Sequence, residues 1–168
     1  PIVVDVNGDN KITPTDQTRI GSPHPSLIYG GNISMGYKGL DFNLAFQGVQ
    51  GNDIFMAWYR TDRSLSNKPA YMFEDRWTAT NTGATSPRAD NNSDYVYRSD
   101  LMVSSGSYMR IKQVQLGYTL ANSITSKFGV GSLRAYISLD DYFTFTKYKG
   151  LDPEAGSNNN LSQGVDRG

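Results

Sequence analysis

The chain has 168 residues, 16 acidic and 16 basic side chains, and no cysteine. A net charge of zero argues against nucleic acid as a partner, since such binders carry a basic surplus. The absence of cysteine excludes disulfides, thiolate metal sites and a cysteine nucleophile. No apolar run approaches 18 residues, which excludes a membrane-spanning helix but not a transmembrane barrel, whose strands are only half apolar. Seventeen glycines and eleven tyrosines suit a turn-rich β protein. The chain opens on Pro1 and stops after a polar stretch, and is read as a fragment of something larger.

The first motif is the sharpest. Counting from Asp5, side-chain oxygens fall at loop positions 1 (Asp5), 3 (Asn7), 5 (Asp9), 9 (Thr13) and 12 (Asp16), and Lys11 at position 7 offers its backbone carbonyl, which is the EF-hand ligand spacing. A hard cation needs six to eight oxygens, and a tightly wound loop supplies them from nearby residues. Ile12 is the apolar anchor. Asn10 replaces the usual glycine at position 6, and Asp16 replaces the longer glutamate, so residues 5–16 look more like a dockerin loop. The spacing predicts a structural calcium ion; the alternative is an Asp/Asn/Gly turn without metal.

Pro23 and Pro25 hold the next segment extended. His24, the only histidine, has no second base or carboxylate cluster near it in sequence and reads as a linker residue. Leu27–Tyr37 then alternates, with Leu27, Tyr29, Ile33, Met35 and Tyr37 on one face and Asn32 and Ser34 on the other. Period-2 alternation is the mark of a half-buried strand. Lys38-Gly39 is a tight-turn signal. Leu40–Gln50 returns with Leu40, Phe42, Leu44 and Phe46 opposite Asp41, Asn43, Ala45 and Gln47.

Gly51–Ser107 has little period-2 order and is read as a long loop, with a helical turn inside Ala70–Trp77. Its aromatics and arginines, Trp58-Tyr59-Arg60 and Arg76-Trp77 among them, form either a partner or ligand surface or the loop's own packing. Tyr108–Leu120 alternates again. Its parity switches near Lys112-Gln113, which predicts a β-bulge. After a shorter connection at Ala121–Gly131, Leu133–Thr146 alternates and ends in Tyr142, Phe143 and Phe145, with Tyr148, Lys147 and Lys149 beside them. Leu151–Gly168 reads as a polar, mobile loop.

The strands exceed the roughly 5–6 residues of a soluble strand and reach the roughly 9–11 that a tilted strand needs to cross a bilayer. Short connections join them at one end and long segments at the other, the asymmetry of outer-membrane barrels, and the terminal aromatics match an interfacial girdle. The predicted fold class is therefore all-β: an antiparallel, long-stranded meander forming part of a transmembrane β-barrel with long extracellular loops. Four strands cannot close a barrel, so most of the wall lies elsewhere.

Several segments also resemble a known family. They are Asp5-Val-Asn-Gly-Asp-Asn-Lys-Ile12, Arg19-Ile-Gly-Ser-Pro-His-Pro-Ser26, Tyr29-Gly-Gly-Asn32, Gly36-Tyr-Lys-Gly-Leu-Asp-Phe42 and Phe46-Gln-Gly-Val-Gln-Gly-Asn-Asp53. Arg76-Trp-Thr78, Gly106-Ser-Tyr-Met-Arg-Ile-Lys112, Leu116-Gly-Tyr-Thr-Leu120 and Phe143-Thr-Phe-Thr-Lys-Tyr-Lys-Gly-Leu-Asp-Pro-Glu154 continue the match. Together, in order, they resemble the C-terminal region of SusC/RagA-type TonB-linked outer-membrane transporters of Bacteroidota. The resemblance implies a 22-stranded barrel with an N-terminal plug and a SusD-type surface lipoprotein as lid. It also implies TonB-powered import of glycans or peptides across the outer membrane, with the lipid against the strands.

Two rival readings remain. One is a soluble calcium-binding β module that mediates protein–protein interaction; a true dockerin, however, has two such loops followed by helices. The other is an enzyme, for which Asp140-Asp141 and Asp152/Glu154 are the best carboxylate pairs. Neighbours in a strand point to opposite faces, and Asp152-Pro153-Glu154 reads as a turn, so no catalytic residue is assigned.

Overall fold

A computed structural model describes residues 4–57, 69–88, 99–154 and 164–166. Trp58-Tyr59-Arg60 lies outside the described residues. In chain order the strands and helices are β1 (Leu27–Tyr37), β2 (Leu40–Gln50), β3 (Asp53–Met56), α1 (Ala70–Glu74), β4 (Val103–Ser105), β5 (Tyr108–Thr119), α2 (Asn122–Thr125), β6 (Arg134–Thr146) and β7 (Val165–Asp166). They fall into two compact units. One comprises Pro25–Gly51 and Gly106–Tyr148; the other comprises Pro1–His24, Asn52–Ser105 and Lys149–Gly168.

The first unit is a four-stranded antiparallel sheet in the order β1-β2-β5-β6. The β1–β2 hairpin closes in two residues, Tyr37 pairing with Leu40. Lys38 (φ 47°) and Gly39 (φ 88°) are both left-handed, the backbone a type I′ turn requires to follow the right-handed twist of its strands. Residues opposite each other across an antiparallel pair share a face. The register therefore stacks Met35, Phe42, Leu116 and Ile137 in one row, and Ile33, Leu44, Val114 and Leu139 in the next. Phe46, Ile111 and Phe143 follow beyond the bulge. The opposite face carries Ser34, Asn43, Gln115 and Ser138, and Gln47, Arg110 and Thr144.

Among the described residues, much of this apolar face is exposed. Met35 is 59% exposed, Ile137 67% and Phe145 55%. A water-facing surface of that extent is foreign to soluble proteins, whose apolar patches rarely exceed a few hundred Å². At about 3.3 Å per residue and a tilt near 45°, strands of 11 to 13 residues rise about 25–30 Å, the height of an apolar barrel belt.

The bulge expected near Lys112 is there. Ile111 pairs with Phe46 and Gln113 with Ala45, so β5 carries one extra residue against β2. Against β6, Ile111 pairs with Phe143 and Gln113 with Asp140, which sets Asp141 and Tyr142 opposite Lys112. Asp141 is left-handed (φ 52°), and its carboxylate lies 3.0 Å from the Lys112 ammonium.

The second unit corrects the reading of Gly51–Ser107 as loop. It contains a small sheet in the order β4-β3-β7, with β3 antiparallel to β4 and parallel to β7. The residues Val165–Asp166, read as part of a mobile loop, supply β7. Strands of two to four residues hold too few positions for alternation to register, and their partners are far away in sequence. The core of this unit is Ile54, Met56 and Met102. Asp53 ties in the proline link: its amide donates to the Ser22 carbonyl (2.7 Å) and its carboxylate accepts the Ser22 amide (2.9 Å). The short helix α1 lies where a helical turn is expected.

Candidate functional site

The Asp5–Asp16 loop is held by bonds from its own backbone amides to its side chains. Asp5 accepts the amides of Gly8 and Asn10, both at 2.7 Å, and Asp9 accepts that of Lys11 at 2.8 Å. Asn7 accepts the Asp9 amide at 3.0 Å. Asn10 takes the left-handed backbone (φ 61°) in the place where glycine is usual. Thr13 and Asp16 form a capping box around the turn Pro14–Asp16, and Asp16 also accepts the Val6 amide at 3.0 Å. The Thr13 amide is the largest of several bonds holding the Asp16 carboxyl below the ordinary carboxylate range.

Asp5, Asn7, Asp9, Lys11, Thr13 and Asp16 thus lie on one turn of chain, with hard oxygen donors suited to calcium. Each carboxylate is already directed at backbone amides, but a carboxylate oxygen has two lone pairs and can accept a second partner. Among the described residues, no three Asp, Glu, His or Cys side chains converge as a metal-holding group. A bound ion would therefore draw these carboxylates inward from their present positions.

On the polar face of the sheet, Arg134 Nε donates to Asp41 Oδ1 at 3.0 Å, and Arg134 Nη2 also reaches Gln115 Oε1 at 3.3 Å. The pair spans β5 over Gly117, which pairs with both Asp41 and Tyr136. A Cβ on Gly117 would sit 2.6 Å from the Asp41 carboxylate oxygens, so the ion pair needs a bare backbone there. Further along this face, Arg110 Nε donates to Thr144 Oγ1 at 2.8 Å. Sequence reading placed Asp41 and Arg134 on the polar face of their strands without pairing them. The signal that could have done so was Gly117, which lies opposite Asp41 and leaves room for Arg134 to reach across diagonally from beside Thr119.

The carboxylate pairs weighed for catalysis take structural partners. Asp140 accepts the Ser138 hydroxyl at 3.3 Å, and Asp141 pairs with Lys112. Asp152 accepts the Glu154 amide at 2.8 Å, closing the expected turn.

In the second unit, a cavity of about 300 Å³ opens between α1, the 85–87 segment and the residues around β4. Met56, Met72, Leu101 and Val103 give it an apolar lining, and Tyr71, Arg76, Asp100 and Lys149 give it polar groups. The Arg76 guanidinium stacks on the Phe73 ring at 3.8 Å and donates to the Phe73 carbonyl at 2.7 Å. The Lys149 ammonium lies 4.9 Å from the centre of the Tyr71 ring. Burial pushes the Tyr71 phenol up, and its hydroxyl meets the Met56 sulfur at 3.9 Å. Beside the cavity, the Thr85 hydroxyl and amide, with a smaller effect of Lys149, hold the Asp75 carboxyl below the ordinary range. Sequence reading flagged the aromatic–arginine content of this segment but not the contribution of Lys149, which comes from a distant part of the chain.

The chain is 34% identical over 168 residues to TonB-dependent receptor P3 of Formosa agariphila. It is 33% identical over 174 residues to TonB-dependent receptor P26 of the same organism. To TonB-dependent receptor SusC of Bacteroides thetaiotaomicron it is 28% identical over 157 residues. These alignments cover 96%, 98% and 92% of the chain but only 16%, 17% and 15% of the relatives. Solved structures of the RagAB peptide importer in open-open and closed-closed states superpose with TM-scores of 0.69 and 0.66 at 26% identity, over 93% of this chain and 17% of theirs. No family model matches. The relatives are receptors and an importer, not enzymes. With its exposed apolar face and its lengthwise match to these proteins, the chain belongs to the SusC/RagA-type TonB-dependent receptors, and its long strands are part of their barrel.

Proposed function

We propose that this chain is the C-terminal part of an outer-membrane nutrient importer of a Bacteroidota-type bacterium. The importer is driven by TonB through parts outside this chain and is covered by a SusD-type lipoprotein. The observation that carries this reading is the four-stranded sheet with one exposed apolar face and one polar face. In this reading the apolar face meets outer-membrane lipid and the polar face, with Asp41 and Arg134, looks into the barrel. The segments that leave the long-connection end of the sheet face the exterior, toward lid and cargo. The cargo is a glycan or a peptide, and the likeness to a peptide importer supports the second. The test uses the native protein in its source cells. An antibody to a peptide from residues 69–88 should detect a large, heat-modifiable band in the outer-membrane fraction. A soluble band near 18.6 kDa would overturn the reading and favour a soluble calcium-binding module.

A second proposal concerns the 5–16 loop, which we assign a structural calcium ion held by Asp5, Asn7, Asp9, Thr13, Asp16 and the Lys11 carbonyl. The left-handed Asn10 and the turn closed by Asp16 support it. Calcium should slow proteolysis of this loop in the full-length receptor, and Asp5→Ala should abolish that protection while leaving the barrel folded. Equal cleavage rates with calcium and with chelator would exclude the ion.

A further inference from the structure

The geometry points to a binding site for the carboxyl-terminal residue of a peptide in the cavity of the second unit, with Arg76 and Lys149 on the carboxylate, Asp100 on the peptide N–H and the apolar lining around the side chain. This inference adds a cargo contact to the import reading and rests on it.

Four polar groups in this cavity have unspent capacity. Arginine has five N–H donors, and Arg76 uses one of them, on the Phe73 carbonyl. Its ring contact leaves the edge of the guanidinium available for a forked pair of bonds to a carboxylate. The Lys149 ammonium lies over the Tyr71 ring and makes no hydrogen bond among the described residues. The Asp100 carboxylate likewise accepts none there. The Tyr71 hydroxyl has only the Met56 sulfur, a weak acceptor, at 3.9 Å. A cavity with an apolar wall and a few convergent, underused polar groups is the ordinary form of a small-ligand site. Its volume is at the low end for such sites, with room for one or two amino-acid residues.

The mixture of charges chooses the ligand. A simple anion would satisfy Arg76 and Lys149 but would repel Asp100. A peptide end supplies both a carboxylate and, one residue's length away, an N–H donor for Asp100. Its side chain replaces water against Met56, Met72, Leu101 and Val103. An acidic sugar also carries a carboxylate, but sugars bind by laying a C–H face on an open aromatic ring. Here a cation already occupies a face of Phe73 and a face of Tyr71, so neither ring is open on both sides to a sugar.

The test is calorimetric titration of the full-length receptor, purified from the outer membrane in detergent, with three probes: acetyl-leucyl-leucine, its C-terminal amide and a glucuronic-acid disaccharide. The free acid should saturate one site and bind at least tenfold more tightly than the amide. Arg76→Gln should lower the free-acid affinity about tenfold or more and shrink the preference for acid over amide. Arg76→Lys, which keeps the charge, should restore part of it. Equal binding of acid and amide, or no saturable binding of the acid, would overturn the site. Tighter binding of the uronate would overturn the peptide assignment. Because binding is read without transport or localisation, its failure is distinct from failure of the importer reading, which the membrane fractionation decides.

Discussion

Leu139→Arg is expected to destabilise the folded barrel by about 2–4 kcal/mol, the cost of a cation on the lipid face near the bilayer midplane. Leu139 sits mid-strand in β6, opposite Val114 on the apolar face, and is 43% exposed. Its row continues through Leu44 to Ile33, so an arginine there has apolar neighbours across the sheet and, in the importer reading, lipid beyond them. Ser138→Arg, one residue away, puts the same charge on the polar face beside Gln115 and should change stability by no more than about 0.5 kcal/mol. Since each 1.4 kcal/mol is tenfold, the two variants should differ roughly thirty- to a thousand-fold in folding equilibrium. Denaturant titration of the full-length receptor in lipid vesicles, read by its heat-modifiable band, measures this. Equal costs at the two positions would mean that the apolar face does not meet lipid.

Ile54→Ala should cost about 2–5 kcal/mol, and the loss should be confined to the second unit. Ile54 is 2% exposed and central in β3, with β4 on one side and β7 on the other. Its side chain shares a small core with Met56 and Met102, so little remains to fill the cavity that alanine leaves. The amides of Phe55 and Ala57 donate to the Gly164 and Asp166 carbonyls, both at 2.7 Å, and these should exchange with solvent roughly thirtyfold faster or more. Amides of β1 and β2 should be unaffected. Leu151→Ala is the control, because Leu151 is 94% exposed and has little contact to lose. Exchange that rises equally in both units would refute a separate core for β3.

The long strands were legible because their signal is repeated. Leu27–Tyr37 and Leu40–Gln50 each hold about five alternating pairs, and the two-residue turn between them fixes the register. The bulge was legible too, since one extra residue flips the parity of everything after Lys112. The small sheet was not. Val103–Ser105 and Val165–Asp166 are strands only because of what lies beside them, and sequence patterns carry no record of a distant partner. The donors proposed for the 5–16 loop rest on spacing alone, because a cation loop would take its oxygens from nearby residues. The cavity was invisible for the opposite reason: Tyr71, Asp100 and Lys149 converge only after the chain has folded.

The way β3 is held has a consequence for the order of assembly. The β1–β2 hairpin needs only its own two-residue turn and can zip as soon as its residues are made. Strand β3 instead waits for β7, near the end of the chain, and for Ser22 from before the sheet. Closing so large a loop is entropically costly and slow compared with hairpin formation. The long strands can therefore set before β3 finds its partners, so a chain arrested before residue 165 would present formed long strands and an unformed small sheet.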